Sequence, residues 1–224
     1  MKKIIGKPLE INKKLISLIE RININNFYLK NKKDFRDQIL NEIDSKDHIL
    51  DIGKAMRERH KKIICKNLQT LDVNDYGDYP DIICDICSDI SDLENKYDKI
   101  ICIAILEHVY DPFKAVSNLR KMLKDGGRIY GMVPYLYHYH APQDLKFQDY
   151  FRFSKDALAY LFRDFSSIEL FPVRGRISSS LHMMFAGRWK NYMEKTNINI
   201  LLDKLSSNEK NHKQCSGFNF IVKK

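Results

Sequence analysis

No apolar run in this chain of 224 residues is long enough to span a bilayer, and the start Met1-Lys2-Lys3-Ile4-Ile5-Gly6 carries no apolar stretch of signal-peptide length. The expected location is therefore the cytoplasm. Cysteine is scarce: five residues, an odd number and scattered, exclude a secreted disulfide framework and fit reduced thiols. Cys84-Asp85-Ile86-Cys87 forms a C-x-x-C pair, but neither a second pair nor a histidine at finger spacing accompanies it, so no metal site is expected. Internal repeats and low-complexity tracts are missing too. The formal net charge of +9 permits contact with nucleic acid or a membrane surface. Lys, Ile and Asn are spread from end to end, however, with no arginine stripe interleaved with aromatics, so nucleic acid is not the expected substrate. This length can bury one substantial core, and one domain with an appendage is the default.

What the chain does have is a clear β-α-β unit between Asp98 and Pro134. Lys99 to Ala104 is a short apolar run dominated by Ile, the pattern of a strand covered on both faces. Asp111-Pro112 starts a helix well, Asp as N-cap and Pro in the first turn where no amide proton is needed. Phe113, Val116, Leu119, Met122 and Leu123 recur at helical spacing and are expected to face the sheet. Gly126-Gly127 is expected to end that helix, and Arg128 to Val133 resumes an extended apolar pattern. Sheets of this kind bind ligands at the carboxyl ends of their strands, which places Ala104 to Tyr110, and the chain from Pro134 onward, at the mouth of a site.

Upstream, Ile11, Leu15, Ile16, Leu18, Ile19 and Ile22 predict one amphipathic helix, and Phe35, Ile39, Leu40 and Ile43 a second. Residues 1–45 thus read as a helical cap that braces the sheet or lids the pocket, with a homodimer face as the alternative. The segment His48 to His60 follows, an apolar strand ending in Asp51-Ile52-Gly53. Asp72 closes a short apolar strand around Leu68 to Leu71, about 20 residues after Asp51, the offset at which an acid reaches ribose hydroxyls in dinucleotide-binding sheets. Asp81 to Ile86 reads as a third strand running into Asp85-Ile86.

Taken together, Asp51-x-Gly53, Leu106-Glu107-His108, Asp111-Pro112 and Leu123-Lys124-x-Gly126-Gly127 resemble the class I S-adenosylmethionine-dependent methyltransferases, in particular a small bacterial type with Leu-Glu-His after the fourth strand. The resemblance covers roughly Lys46 to Phe171. It implies an α/β, Rossmann-like fold: a mostly parallel seven-stranded sheet with an antiparallel last strand, helices on both faces, and a domain over 46–224. It also implies S-adenosyl-L-methionine as cofactor, with S-adenosyl-L-homocysteine as product. On that basis the cofactor residues are Asp51, Gly53 and Lys54 by the methionine portion, Asp72 and Val73 at the ribose, Asp85 and Ile86 at the adenine, and Ile103 and Ala104 beneath. One departure stands out: the usual Gly-x-Gly-x-Gly keeps only Gly53, with Ala55 and Arg57 at the next two places.

The chemistry is expected after the fifth strand, where Pro134-Tyr135-Leu136-Tyr137-His138-Tyr139-His140-Ala141-Pro142 precedes Asp149-Tyr150-Phe151-Arg152-Phe153-Ser154. This pairing resembles a subfamily found with polysaccharide and cell-surface carbohydrate biosynthesis, which implies a carbohydrate-like acceptor: a sugar, sugar nucleotide or capsule or lipopolysaccharide precursor methylated on oxygen. Imidazole titrates near working pH, so His140 is the expected base and His108 its rival. Asp149 orients that imidazole or binds substrate hydroxyls; Arg152 grips a phosphate or carboxylate, or pairs with Asp149 to pin the loop. Ser154 is expected to cap a helix bearing Leu158, Leu161 and Phe162. The tail reads as an extended segment from Ser167 to Val173, a helical insertion at about 178–205 and a last strand near Phe218 to Val222. Met183, Met184, Phe185, Trp189 and Tyr192 of the insertion are either core or a cover for the acceptor pocket. Two other functions fit the same sequence, a noncatalytic scaffold that lost cofactor affinity through the altered turn, and methylation of RNA or protein.

Overall fold

The structure is a computed structural model, and it describes residues 17, 22–24, 35–53, 65, 67–141, 147–185, 198, 201, 203 and 214–224. In chain order the strands are β1 (Ile22–Ile24), β2 (His48–Ile52), β3 (Asn67–Asp72), β4 (Ile82–Ile83), β5 (Tyr97–Ile103), β6 (Leu123–Pro134), β7 (Ser167–Val173) and β8 (Gly217–Lys223). The helices are α1 (Phe35–Glu42), α2 (Pro112–Met122), α3 (Lys155–Leu161) and α4 (Arg176–Met184). All eight strands join one sheet in the order β1-β7-β8-β6-β5-β2-β3-β4, parallel throughout except where β8 runs against β6 and β7. The expected seven-stranded sheet is thus present, with β1 added beside β7. Ile22, expected on a helix, lies on β1 opposite Ile168. Ile22-Asn23-Ile24 alternates with period two and gives the edge of β7 a partner.

The strands alternate their side chains between two cores. Leu50, Ile52, Ile100, Cys102, Ile129 and Val133 pack on one face with Val116 and Leu119 of α2 and Leu158 and Leu161 of α3. Ile49, Ile101, Ile103 and Tyr130 pack on the other with Phe35 and Ile39 of α1. This is the physical meaning of the continuous Ile run in β5: neighbours face opposite ways and both faces are covered. Fully burying each such side chain contributes about 1.5–3 kcal/mol.

Local signals place the helices. The Asp111 side chain accepts the Lys114 N–H at 2.9 Å, with Pro112 in the first turn, and Ser154 accepts the Ala157 N–H at 3.2 Å. Two expectations around α2 are corrected. Phe113 is 47% exposed and packs its ring 5.5 Å from Tyr160 instead of facing the sheet. The helix also ends before Gly126-Gly127: Leu123 is already extended, fully buried and paired with Tyr97. The ladder then skips to Lys99 opposite Arg128, so Gly126, at φ +78°, turns a bulge rather than the helix end. Gly131 has a packing reason of its own, since a Cβ there would lie 2.1 Å from the Phe220 ring on the opposing strand.

The start of α4 is tied to Asp203, whose buried carboxylate accepts the Gly175 and Ser178 N–H groups at 2.8 and 3.0 Å. Met183, Met184 and Phe185 at its other end are exposed, so they are not core; Trp189 and Tyr192 lie outside the described residues. Among the described residues no helix is long and apolar enough to cross a membrane.

Candidate active site

The carboxyl ends of β2, β3, β4, β5 and β6 lie side by side, and the sequence-predicted residues collect along that edge. Gly53 follows β2 with φ +75° and donates its N–H to the Leu71 carbonyl at 2.8 Å. Its missing Cβ would come 2.2 Å from Ile105 Cδ1, so the turn lies flush against the chain leaving β5. Asp51, one step inside, is buried, and desolvation pushes its carboxyl up to about 8. Ala104 leaves β5 at φ +56°, a conformation that costs a residue with a Cβ roughly 1–2 kcal/mol, and its N–H donates to the Met132 carbonyl. Lys54, Ala55 and Arg57 lie outside the described residues.

Asp72 ends β3 half-buried, with one carboxylate oxygen accepting the Asn74 N–H at 3.0 Å. Val73 beside it is 57% exposed, an apolar surface at the site's edge. Asp85 accepts the Cys87 N–H at 2.8 Å and the Tyr110 hydroxyl at 3.0 Å. Ile86 and Ile103 are buried in the two cores, whereas Val73, Ile83 and Tyr110 are exposed. Carboxylates with spare acceptor capacity, an exposed valine and a glycine turn that keeps side chains away fit a nucleoside-bearing cofactor.

On the far side of β5, Leu106–His108 forms a single 3-10 turn. The Glu107 carbonyl accepts the N–H groups of Tyr150 and Phe151 at 2.8 and 3.1 Å, and the Pro134 carbonyl accepts that of Phe153 at 2.9 Å. These bonds dock the strand-six loop over the turn. Arg152 then holds the loop together, with Nη1 and Nη2 on the two oxygens of Asp149 at 2.5 and 2.6 Å. Its remaining donors reach the carbonyls of Tyr137, His138 and Phe151 at 3.1, 2.8 and 2.8 Å. A guanidinium has five N–H groups and all five are engaged, so Arg152 pins the loop and keeps none for a substrate anion. That pairing holds the Asp149 carboxyl down at about 2. The Asp149 side chain is 0% exposed, which leaves it orienting His140 rather than binding substrate hydroxyls: it accepts the His140 N–H at 2.9 Å and stands 3.1 Å from His140 Nδ1.

His108 and His140 come together here with their rings 4.8 Å apart, edge to face. His108 Nδ1 lies 2.6 Å from the Gln148 carbonyl, and burial, foremost, holds its imidazole below the ordinary histidine range. Glu107 sits beneath both rings, its Oε1 3.8 Å from His108 Nε2 and 3.9 Å from His140 Nε2. Glu107 is 1% exposed, and burial pushes its carboxyl up to about 8. No metal set was expected from the sequence, yet Glu107, His108 and His140 offer ligand atoms that all lie within 4.8 Å of one another. The sequence carried half of that signal, an adjacent Glu-His pair at a strand end; the docked loop supplies the other half. Phe147, whose ring centroid lies 4.5 Å from that of His108, and the Tyr137 stack on His138 and His182 are likewise visible only in the fold.

The strand order, the left-handed glycine after β2 and the carboxylates on the next two strand ends define a Rossmann-like α/β domain with its site at the carboxyl edge. A family model described as a methyltransferase domain matches residues 31–171, more than half of the chain, and the chain belongs to that family of methyl-transferring enzymes. No curated protein matches it. Solved structures do. An S-adenosylmethionine-dependent methyltransferase from Archaeoglobus fulgidus aligns with a TM-score of 0.53 at 14% identity, covering 88% of this chain and 98% of that one. One from Mesorhizobium loti aligns at 0.52 and 10% identity, over 86% and 99%. Phosphoethanolamine N-methyltransferase 2 of Haemonchus contortus, in complex with phosphomonomethylethanolamine and S-adenosylhomocysteine, aligns at 0.52 and 12% identity over 83% of this chain, which spans 50% of that enzyme. Similarity at this level establishes the fold.

Proposed function

We propose that this chain transfers a methyl group from S-adenosylmethionine to a hydroxyl of a small carbohydrate-like acceptor, a sugar, a sugar nucleotide or a cell-surface polysaccharide precursor. The observation that carries the reading is the meeting of two halves at one sheet edge: a glycine turn with accessible carboxylates on one side of β5, and an oriented His140 on the other. When bound, the cofactor supplies a methyl group on an already activated sulfonium, so the protein's task is alignment and removal of the acceptor proton.

The Asp51-Gly53 turn lies along the methionine portion. Asp72 accepts the ribose hydroxyls, Val73 lies against the base, and Asp85 reaches its amino group. Ala104, in its left-handed conformation, and Ile103 before it bring the main chain of β5 up beneath the transferred group. His140 takes the proton at Nε2, because Nδ1 is committed to Asp149. Asp149 orients the imidazole, Arg152 positions Asp149, and His108 frames the ring from the side. Tyr137, which stacks on His138 and on the buried His182, stands with its ring 5.4 Å from His140, and Tyr139 beside it is 68% exposed, an aromatic surface of the kind sugars pack on. The Leu-Glu-His turn and the loop pattern from Pro134 to Ser154 are the features shared with the carbohydrate-pathway subfamily.

The test is transfer of labelled methyl from S-adenosylmethionine to a panel of monosaccharides and nucleoside diphosphate sugars, with phosphoethanolamine and bulk RNA as contrasting acceptors. Label on a sugar hydroxyl is the expected result. Label on nitrogen or on RNA alone would overturn the acceptor class.

A further inference from the structure

We propose that Glu107, His108 and His140 form a binding site for one divalent transition-metal ion of the zinc type. The three donors, two imidazole nitrogens and one carboxylate, are the set such ions take with a position left open for substrate. Their ligand atoms lie within 4.8 Å of one another. A tetrahedral ion with bonds of about 2.1 Å spaces its ligands about 3.4 Å apart, so closure needs only side-chain shifts of less than about 1.5 Å.

Protonation logic points the same way. His108 Nδ1 faces the Gln148 carbonyl at 2.6 Å, and a carbonyl only accepts, so Nδ1 carries the hydrogen. His140 Nδ1 faces Asp149, which Arg152 keeps as a carboxylate, and so also carries its hydrogen. Both Nε2 atoms therefore present lone pairs toward Glu107 Oε1, at 3.8 and 3.9 Å. Two imidazole lone pairs and a buried carboxyl thus converge on one point, where a bound cation can take the place of the proton that burial otherwise favours on Glu107. A second observation is independent of the rings: Glu107 Oε2 is buried with no hydrogen-bond partner among the described residues, in a side chain 1% exposed. Finally, both histidines have the partners that ligating imidazoles need, a main-chain carbonyl for one and a carboxylate for the other, which fix ring orientation and raise basicity at the free nitrogen.

This inference rests on the proposed function only in placing the acceptor at the ion's open position. An ion held there by Glu107, His108 and His140 would make a coordinated hydroxyl more acidic, and its proton would pass to water with the O–H bonding pair left on oxygen; in the ion-bound enzyme this would replace the transfer to His140 Nε2 that serves the ion-free site. Ion binding itself is independent of that role.

The experiment uses the full chain, stripped with a chelator and titrated with Co²⁺, then with Zn²⁺ in competition. One Co²⁺ per chain, with visible absorption that Zn²⁺ abolishes, is expected. Glu107→Gln and His140→Ala should each lose the signal, and Asp149→Asn should weaken uptake by about 10- to 100-fold. S-adenosylhomocysteine binding serves as the fold control; should Glu107→Gln fail to fold, His140→Ala on the surface loop carries the test. Absence of stoichiometric Co²⁺ uptake, or uptake unchanged in His140→Ala, overturns the site. Turnover that survives chelation intact would return His140 to the role of base and overturn the ion's role in it. Co²⁺ uptake without any S-adenosylhomocysteine binding would leave the metal site standing and overturn the proposed function instead.

Discussion

The two sides of β5 solve opposite problems. Toward β3 and β4 the functional groups are left open: Asp72 carries one short-range hydrogen bond, Val73 is exposed, and a glycine keeps side chains out of the turn. Toward β6 nearly everything is tied down: Arg152 spends all five donors, Asp149 is sealed from solvent, and two main-chain bonds to the Glu107 carbonyl dock the loop. On the proposed function the cofactor enters by the first side and needs acceptors that can be desolvated on binding. Chemistry on the second side needs one nitrogen held in one place, and a closed hydrogen-bond network achieves that.

Substitutions should therefore separate the halves. His140→Ala is expected to lower methyl transfer by about 10²- to 10⁴-fold while S-adenosylhomocysteine affinity stays in place; calorimetry beside turnover checks this, and equal turnover in both proteins would remove His140 from the chemistry. Arg152→Ala leaves the buried Asp149 carboxylate without its partner and should cost about 3 kcal/mol of stability, read by denaturant unfolding. Arg152→Lys keeps the charge but loses the two-pronged grip, so it should lower turnover more than stability. Asp72→Ala should weaken the cofactor product by about 1.5–3 kcal/mol without altering the unfolding midpoint of the free protein. A comparable loss of affinity in His140→Ala and none in Asp72→Ala would invert the division.

A further prediction concerns pH. Folding raises the Asp51 carboxyl from its ordinary value to about 8, so between the usual carboxylate range and pH 8 the folded state binds the extra proton. Stability from this group is present at low pH and is lost as pH rises toward 8. Asp51→Asn should flatten that part of the stability profile, and an unchanged slope would mean that Asp51 ionises at its ordinary value in the fold.

Much of the fold was legible because its signals are local. The Ile run of β5, the Asp111-Pro112 cap and the offset from Asp51 to Asp72 each depend on a few neighbouring residues, and each took its expected place in the sheet. The failures were where a distant partner decides. Phe113 had the right spacing for the core but meets Tyr160 of a later helix, and Gly126 turns a bulge because Leu123 pairs early with Tyr97. The same limit governs the site. Glu107, His108, His140, Asp149 and Arg152 could each be named from the sequence, but their arrangement could not, because it follows from a loop docked on the Glu107 and Pro134 carbonyl oxygens. That docking commits the Arg152 guanidinium to Asp149 and three main-chain carbonyls and brings ligand atoms of Glu107, His108 and His140 within 4.8 Å of one another.

The central claim is that the altered glycine turn still serves a methyl-transferring site. Calorimetric titration of the whole chain with S-adenosylhomocysteine tests it most directly. The account predicts saturable binding at one site per chain, weakened by Asp72→Ala and retained by His140→Ala; no binding even at millimolar ligand would contradict it.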